Sequence, residues 1–132
     1  MAGELLYLDS SAILKLVVPE PETRAVRRLL RSWPERVSSV IAEIEVERAA
    51  RRVGGGAMRK ARTVLSRIGL IELEQAVVRV AATLEPAGLR TLDAIHLASA
   101  LSISGEVGAF CTYDARLADA TTAADIVVTA PT

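Results

Sequence analysis

The chain has 132 residues, 16 basic and 16 acidic, and 51% of them are apolar, which describes one domain with enough material for a core and excludes a disordered chain. A formal charge of zero lacks the bulk positive field of a general nucleic-acid binder. Tyr7, Trp33, Phe110 and Tyr113 are the whole aromatic complement, too few for a base-stacking platform.

Residues 4–8 (ELLYL) read as a short buried strand ended by Asp9, and 10–17 (SSAILKLV) as two helical turns. The PEPE at 19–22 punctuates the chain and opens a helix over about 22–32, with Val26, Leu29 and Leu30 as its apolar stripe and Pro34 beyond its end. A strand is expected at 36–40 and a helix at about 40–53. Gly54-Gly55-Gly56 breaks that helix. It has no Gly-Lys-Ser/Thr ending and no GxGxxG spacing, so it reads as a hinge or helix cap, not a phosphate loop. Further elements follow: a helix at 57–68, a strand at 69–73, a helix at 74–85, a turn at Pro86 and Gly88, and a helix at 91–104 that is apolar on almost every side. The chain closes with a strand at 107–112, a helix at 114–121 and a strand at 125–129, leaving the last three residues loose. Short apolar strands alternating with helices predict a single α/β domain over 1–132, with a mainly parallel sheet of about five strands and helices on both faces.

Cys111 has no partner for an internal disulfide and sits in an apolar run, where a buried, inert thiol is expected. The N-terminal MAGELLYLDSS shows no basic region and no long apolar run, so neither a signal peptide nor a membrane span is expected, and the cytoplasm is the expected compartment.

Open parallel sheets place their sites beyond the carboxyl ends of the strands. Asp9 follows the first strand, Asp114 follows the strand ending at Cys111–Thr112, and Asp93 lies in the first turn of the apolar helix. Acids gathered at one sheet edge repel one another, and oxygen-only clusters of this kind suit Mg²⁺ or Mn²⁺. Each also has a plainer role. Asp9 and Asp114 would cap the helices that follow them, and Asp93 sits where a carboxylate favours a helix start, with Thr91 as its N-cap and Arg90 as a salt-bridge partner. A fourth acid is expected from the helix at 40–53. Glu45 shares a face with Ile41 and Ala49, an acid on an apolar inward stripe, whereas Glu43 and Glu47 align with Ser39 and Ala50 on a more polar side; Glu45 is preferred, with Glu43 as the alternative. His96, three residues after Asp93, reads as a hydrogen-bonded core residue, since no second His or Cys completes a zinc set.

The basic residues are unevenly spread. From Arg48 to Arg67 there are seven basic residues and no acidic one, and Arg24, Arg27, Arg28 and Arg31 fall within eight residues. Such runs are solvated helix faces or phosphate-binding surfaces, and arginine suits the latter.

LYLDSSAILKL (6–16), VSSVIAEIEVERAARR (37–52), LRTLDAIHLASAL (89–101) and FCTYDARLADA (110–120) resemble, in order and spacing, the successive motifs of the PIN-domain VapC toxins. The resemblance covers nearly the whole chain. It implies a Rossmann-like sheet, an Mg²⁺- or Mn²⁺-dependent endoribonuclease acting on structured RNA such as tRNA or rRNA, a VapB-like antitoxin, and toxin homodimers or toxin–antitoxin hetero-oligomers. By motif, it makes Asp9, Glu45, Asp93 and Asp114 the catalytic acids that hold the metal directly or through water. Ser10, Ser11 and Thr112 become supporting hydroxyls, and Arg48, Arg51, Arg52, Arg59, Lys60 and Arg62 become candidate RNA contacts. It further implies that an antitoxin tail bearing Arg or Lys enters the acidic pocket.

Other α/β readings fit less well. A DxDxT phosphatase needs Asp where Ser11 stands, a receiver domain needs a late lysine whereas the last is Lys60, and Ile13 breaks a DxSxS adhesion motif. A catalytically silent PIN-like module that binds RNA or protein is the remaining alternative.

Overall fold

The computed structural model describes residues 3–132. Five strands, β1 (Leu5–Leu8), β2 (Glu35–Ser39), β3 (Gly69–Ile71), β4 (Val107–Cys111) and β5 (Val128–Thr129), form one sheet in the order β3-β2-β1-β4-β5. Every adjacent pair is parallel. Parallel neighbours need crossover connections, and here helices provide them. These are α1 (Ser10–Val17), α2 (Thr23–Ser32), α3 (Ile41–Val53), α4 (Ala57–Leu65), α5 (Gln75–Thr83), α6 (Thr91–Leu101) and α7 (Ala115–Ala123).

Strand alternation sorts the core. Leu6 and Leu8 of β1, with Ala109 and Cys111 of β4, face a cluster that takes in Ile13 of α1, Val46 and Ala50 of α3, and Leu65 at the end of α4. Tyr7 and Phe110 face the other way, onto Leu97 of α6 and Leu117 of α7. Helices therefore cover both sheet faces, as the alternating pattern predicts. At the β1–β4 pair the register skips Gly108, which packs against Trp33 with no room for a side chain. Gly54 and Gly55 both adopt positive φ between α3 and α4, so the triple glycine is the expected helix break.

Element ends differ from the expected ones where backbone chemistry intervenes. The helix at 91–104 stops at Leu101, and a 3₁₀ turn at Ser104–Glu106 leads into β4. The last strand starts at Val128 because Asp125, at φ 63°, occupies a left-handed turn. The final residues are not loose: the Tyr113 hydroxyl donates to the Pro131 carbonyl. Cys111 is buried and unpaired, and burial pushes its thiol up to about 12, consistent with an inert core residue. Among the described residues, no helix is long and apolar enough to cross a membrane.

Candidate active site

Connections run from β1 outward to β2 and β3, then return across the sheet to β4 and β5. The reversal lies between β1 and β4, and a crevice opens at their carboxyl ends. Asp9 leaves β1 there, and Thr112 and Asp114 leave β4.

Asp9 is 3% exposed. Its Oδ1 accepts from the Ser11 hydroxyl at 2.7 Å and from the Ala12 amide at 3.0 Å, while Oδ2 accepts from the Thr112 hydroxyl at 2.6 Å. It is the N-cap of α1 and a crevice acid at once, so the two readings are not alternatives. Asp114 behaves likewise: Oδ1 caps α7 by accepting from Leu117 N, leaving Oδ2 without a protein donor among the described residues. Thr112 joins the two acids, because its oxygen also accepts from the Asp114 amide at 3.1 Å. Ser11 in turn accepts from the Tyr113 amide.

Asp93 comes from the first turn of α6 and is half-buried. Here two expectations fail. Arg90, not Thr91, stands at the cap position and makes no side-chain cap bond, because the helix has already begun at Thr91. Nor does Arg90 pair with Asp93: none of Asp9, Asp93 and Asp114 has a basic side chain at salt-bridge distance among the described residues. The helix is also not buried all round, since its first turn emerges from the core with Leu92 47% exposed.

Glu45 is half-buried and Glu43 is exposed. The inward stripe of α3 is Ala42, Val46 and Ala50, with Ile41; Glu45 stands on its flank and Ala49 is only half-buried. From that flank Oε1 accepts from the Ser10 hydroxyl at 2.6 Å and lies 2.9 Å from His96 Nε2. His96 is 1% exposed, and its Nδ1 lies 2.8 Å from the Tyr7 hydroxyl. It is a satisfied core histidine as expected, and it also touches a candidate site acid.

The electrostatics bind these groups into one site. Burial first, then the negative charges of Asp114, Asp9 and Glu45, push the Asp93 carboxyl above its ordinary value, with His96 opposing. Burial likewise pushes Asp9 up, against His96 and the hydrogen bonds from Ser11, Thr112 and Ala12. Glu45 goes the other way. Burial pushes it up, but the hydrogen bonds from His96 and Ser10 outweigh that and hold it below the usual range.

The donor set is carboxylate and hydroxyl oxygen with excess negative charge, which suits a hard divalent cation. Among the described residues, no three His, Cys, Asp or Glu side chains close into a ready-made cage.

The basic residues divide. Arg48 and Arg52 line a depression with Ile41, Ile44, Glu45 and Leu92, directly beside the site, and Arg51 borders it. Lys60 instead lines a groove of about 270 Å³ with Arg27, Arg36 and Arg67 over a floor of Leu16, Leu30, Val64 and Ile68. Arg36 there also donates to the carbonyls of Leu30 and Trp33, closing the end of α2. Arg62 lies 3.7 Å from Glu47, and Arg59 projects to solvent.

Residues 6–122 match the family model described as the PIN domain. The chain is 46% identical over 126 residues to Ribonuclease VapC46 of Mycobacterium tuberculosis, covering 96% of this chain and 97% of that one. Its fold is similar to Mycobacterium tuberculosis VapC20, a toxin cleaving the sarcin–ricin loop, with a TM-score of 0.74 at 17% identity, covering 96% and 99% of the two chains. It is also similar to a chain of a toxin–antitoxin complex from Klebsiella pneumoniae, with a TM-score of 0.71 at 22% identity over 86% and 89% of the chains.

Proposed function

The chain belongs to the PIN-domain family, in its VapC branch, and from that premise we propose that it is an Mg²⁺- or Mn²⁺-dependent endoribonuclease toxin restrained by a VapB-like antitoxin. What supports this reading is the gathering of Asp9, Asp93, Asp114 and Glu45 near the β1–β4 reversal, with none of them paired to an arginine or lysine among the described residues.

Asp9, Asp93 and Asp114 would hold the ion, with Glu45 reaching it directly or through water. A bound divalent ion supplies charge neutralisation at the phosphate and a more acidic water. The protein's own part is positioning and proton handling. Thr112 and Ser11 fix the Asp9 carboxylate, and the capping bond of Asp114 engages Oδ1 and leaves Oδ2 without a protein donor among the described residues. His96 and Ser10 favour the charged form of Glu45, which keeps its carboxylate ionised. Its Oε2, free of the two hydrogen bonds made by Oε1, is the atom that orients and deprotonates the attacking water. Arg48 and Arg52, one and two turns beyond Glu45 on α3, hold RNA phosphates beside the cut.

The α2–α4 groove has an apolar floor and a rim of Arg27, Lys60 and Arg67, which suits an acidic amphipathic segment such as an antitoxin would provide. RNA cleavage by the purified chain, with and without divalent metal, tests the reading. Metal-dependent cutting supports it, and the same well-folded chain binding RNA without cutting it favours the silent module.

A further inference from the structure

A chain of buried side chains ends on the Glu45 carboxylate. Its Oε1 meets His96 Nε2 at 2.9 Å, and His96 Nδ1 meets the Tyr7 hydroxyl at 2.8 Å. Tyr7 lies at the middle of the sheet with no exposure, stacked on Phe110 at 4.6 Å between centroids and 8° between planes. The Tyr7 and His96 rings stand edge to face, 5.8 Å apart at 85°. A rigid aromatic in β1 thus holds a ring in α6, and that ring holds an acid in α3.

The direction of the chain follows from donor and acceptor counting. Among the described residues, the Tyr7 hydroxyl makes one side-chain hydrogen bond, to His96 Nδ1. An ionised carboxylate has no proton to give, so Nε2 must donate to Glu45. A neutral ring therefore carries its hydrogen on Nε2 and leaves Nδ1 bare to accept the phenol proton.

Resting on the nuclease reading, we propose that Tyr7 and His96 are positioning residues that fix the Glu45 carboxylate: Tyr7 orients the imidazole, and the imidazole turns Oε1 inward so that Oε2 faces the substrate. α6 makes this economical, because Asp93 and His96 are one turn apart on the same side of that helix. One element presents a site acid and steadies another on a different helix. Neither residue touches substrate.

The test uses the full chain with three variants, Tyr7→Phe, His96→Gln and His96→Leu. Gln keeps an N–H donor near the position of Nε2, and Leu removes it. His96 is the only histidine, so nitrogen-15 spectra read its tautomer without assignment ambiguity. The expected wild-type spectrum shows hydrogen on Nε2 alone. In Tyr7→Phe and His96→Leu, kcat for RNA falls by about ten- to a hundredfold with KM unchanged, as for other groups that orient a site ligand, while His96→Gln recovers most of the loss. Mn²⁺ affinity, measured by calorimetry without RNA, weakens in His96→Leu and recovers in His96→Gln. A wild-type ring protonated on Nδ1 alone overturns the proposal. So does a folded Tyr7→Phe protein with wild-type kcat, or equal Mn²⁺ affinity in His96→Leu and His96→Gln. Should the wild type cleave no RNA, the nuclease reading falls by itself, and the tautomer and the Mn²⁺ affinities still decide the positioning claim.

Discussion

The Thr112 hydroxyl donates to Asp9 Oδ2 at 2.6 Å, tying the carboxyl ends of β4 and β1 together across the point where the sheet reverses. Both residues are almost fully buried, so the bond lies in a low-dielectric setting and has a charged acceptor. Thr112→Val keeps the shape and removes the donor. It should cost about 1.5–3 kcal/mol of folding stability, measured by urea denaturation at neutral pH. An unchanged midpoint would mean that Asp9 finds another donor.

Asp93 and Glu45 should show opposite pH linkage. The folded-state pKa of Asp93 is raised, so its charge costs stability above its unfolded pKa, and that cost disappears below about pH 4. Asp93→Asn should therefore raise Tm at neutral pH in metal-free buffer, with the gain fading on acidification. Glu45 is lowered, so its contribution is present above its unfolded pKa and is lost as pH falls through the folded value. Glu45→Gln should lower Tm at neutral pH, and the difference from wild type should close in acid. Paired thermal melts across pH check both signs.

Added Mg²⁺ or Mn²⁺ should raise the Tm of the wild type and narrow its gap to Asp93→Asn, because an ion that binds only the folded chain stabilises it by mass action. A Tm shift of equal size in the wild type and in Asp93→Asn would place the ion elsewhere.

The two basic regions should separate by function. Arg48→Ala and Arg52→Ala should each weaken RNA binding and reduce the salt slope by about 0.7, the value for one single-strand phosphate contact. Lys60→Glu and Arg67→Glu, in the α2–α4 groove, should leave RNA affinity near wild type and weaken inhibition by an acidic antitoxin segment. Binding isotherms over a range of salt, with inhibition measured in parallel, distinguish the two surfaces.

Much of this arrangement was readable from the residues. Alternation of short apolar runs with helices gave a parallel sheet, and strand ends pointed to Asp9 and Asp114, whose capping bonds are local and fall within three residues. The setting of Glu45 was only half readable. Spacing put it with Ile41 and Ala49, whereas packing rotated α3 so that Ala42, Val46 and Ala50 face inward and Glu45 stands at the edge. Helical periodicity gives relative faces and leaves the absolute rotation to tertiary contacts. The link from Tyr7 to His96 was hidden altogether, because it joins residues 89 apart in the chain and a lone histidine carries no spacing signal. Asp93 was expected to be enclosed by its apolar neighbours, yet the first turn of α6 projects beyond the core, and that projection is what brings the acid to the crevice.

If these acids form a metal-dependent RNA-cutting centre, the purified, antitoxin-free chain cleaves tRNA or rRNA. The assay compares Mg²⁺ or Mn²⁺ with EDTA, and wild type with Asp93→Ala. Cutting that requires metal and falls by about a hundredfold or more in Asp93→Ala is the predicted result. Cutting that persists in EDTA, or that survives Asp93→Ala unchanged, would contradict it.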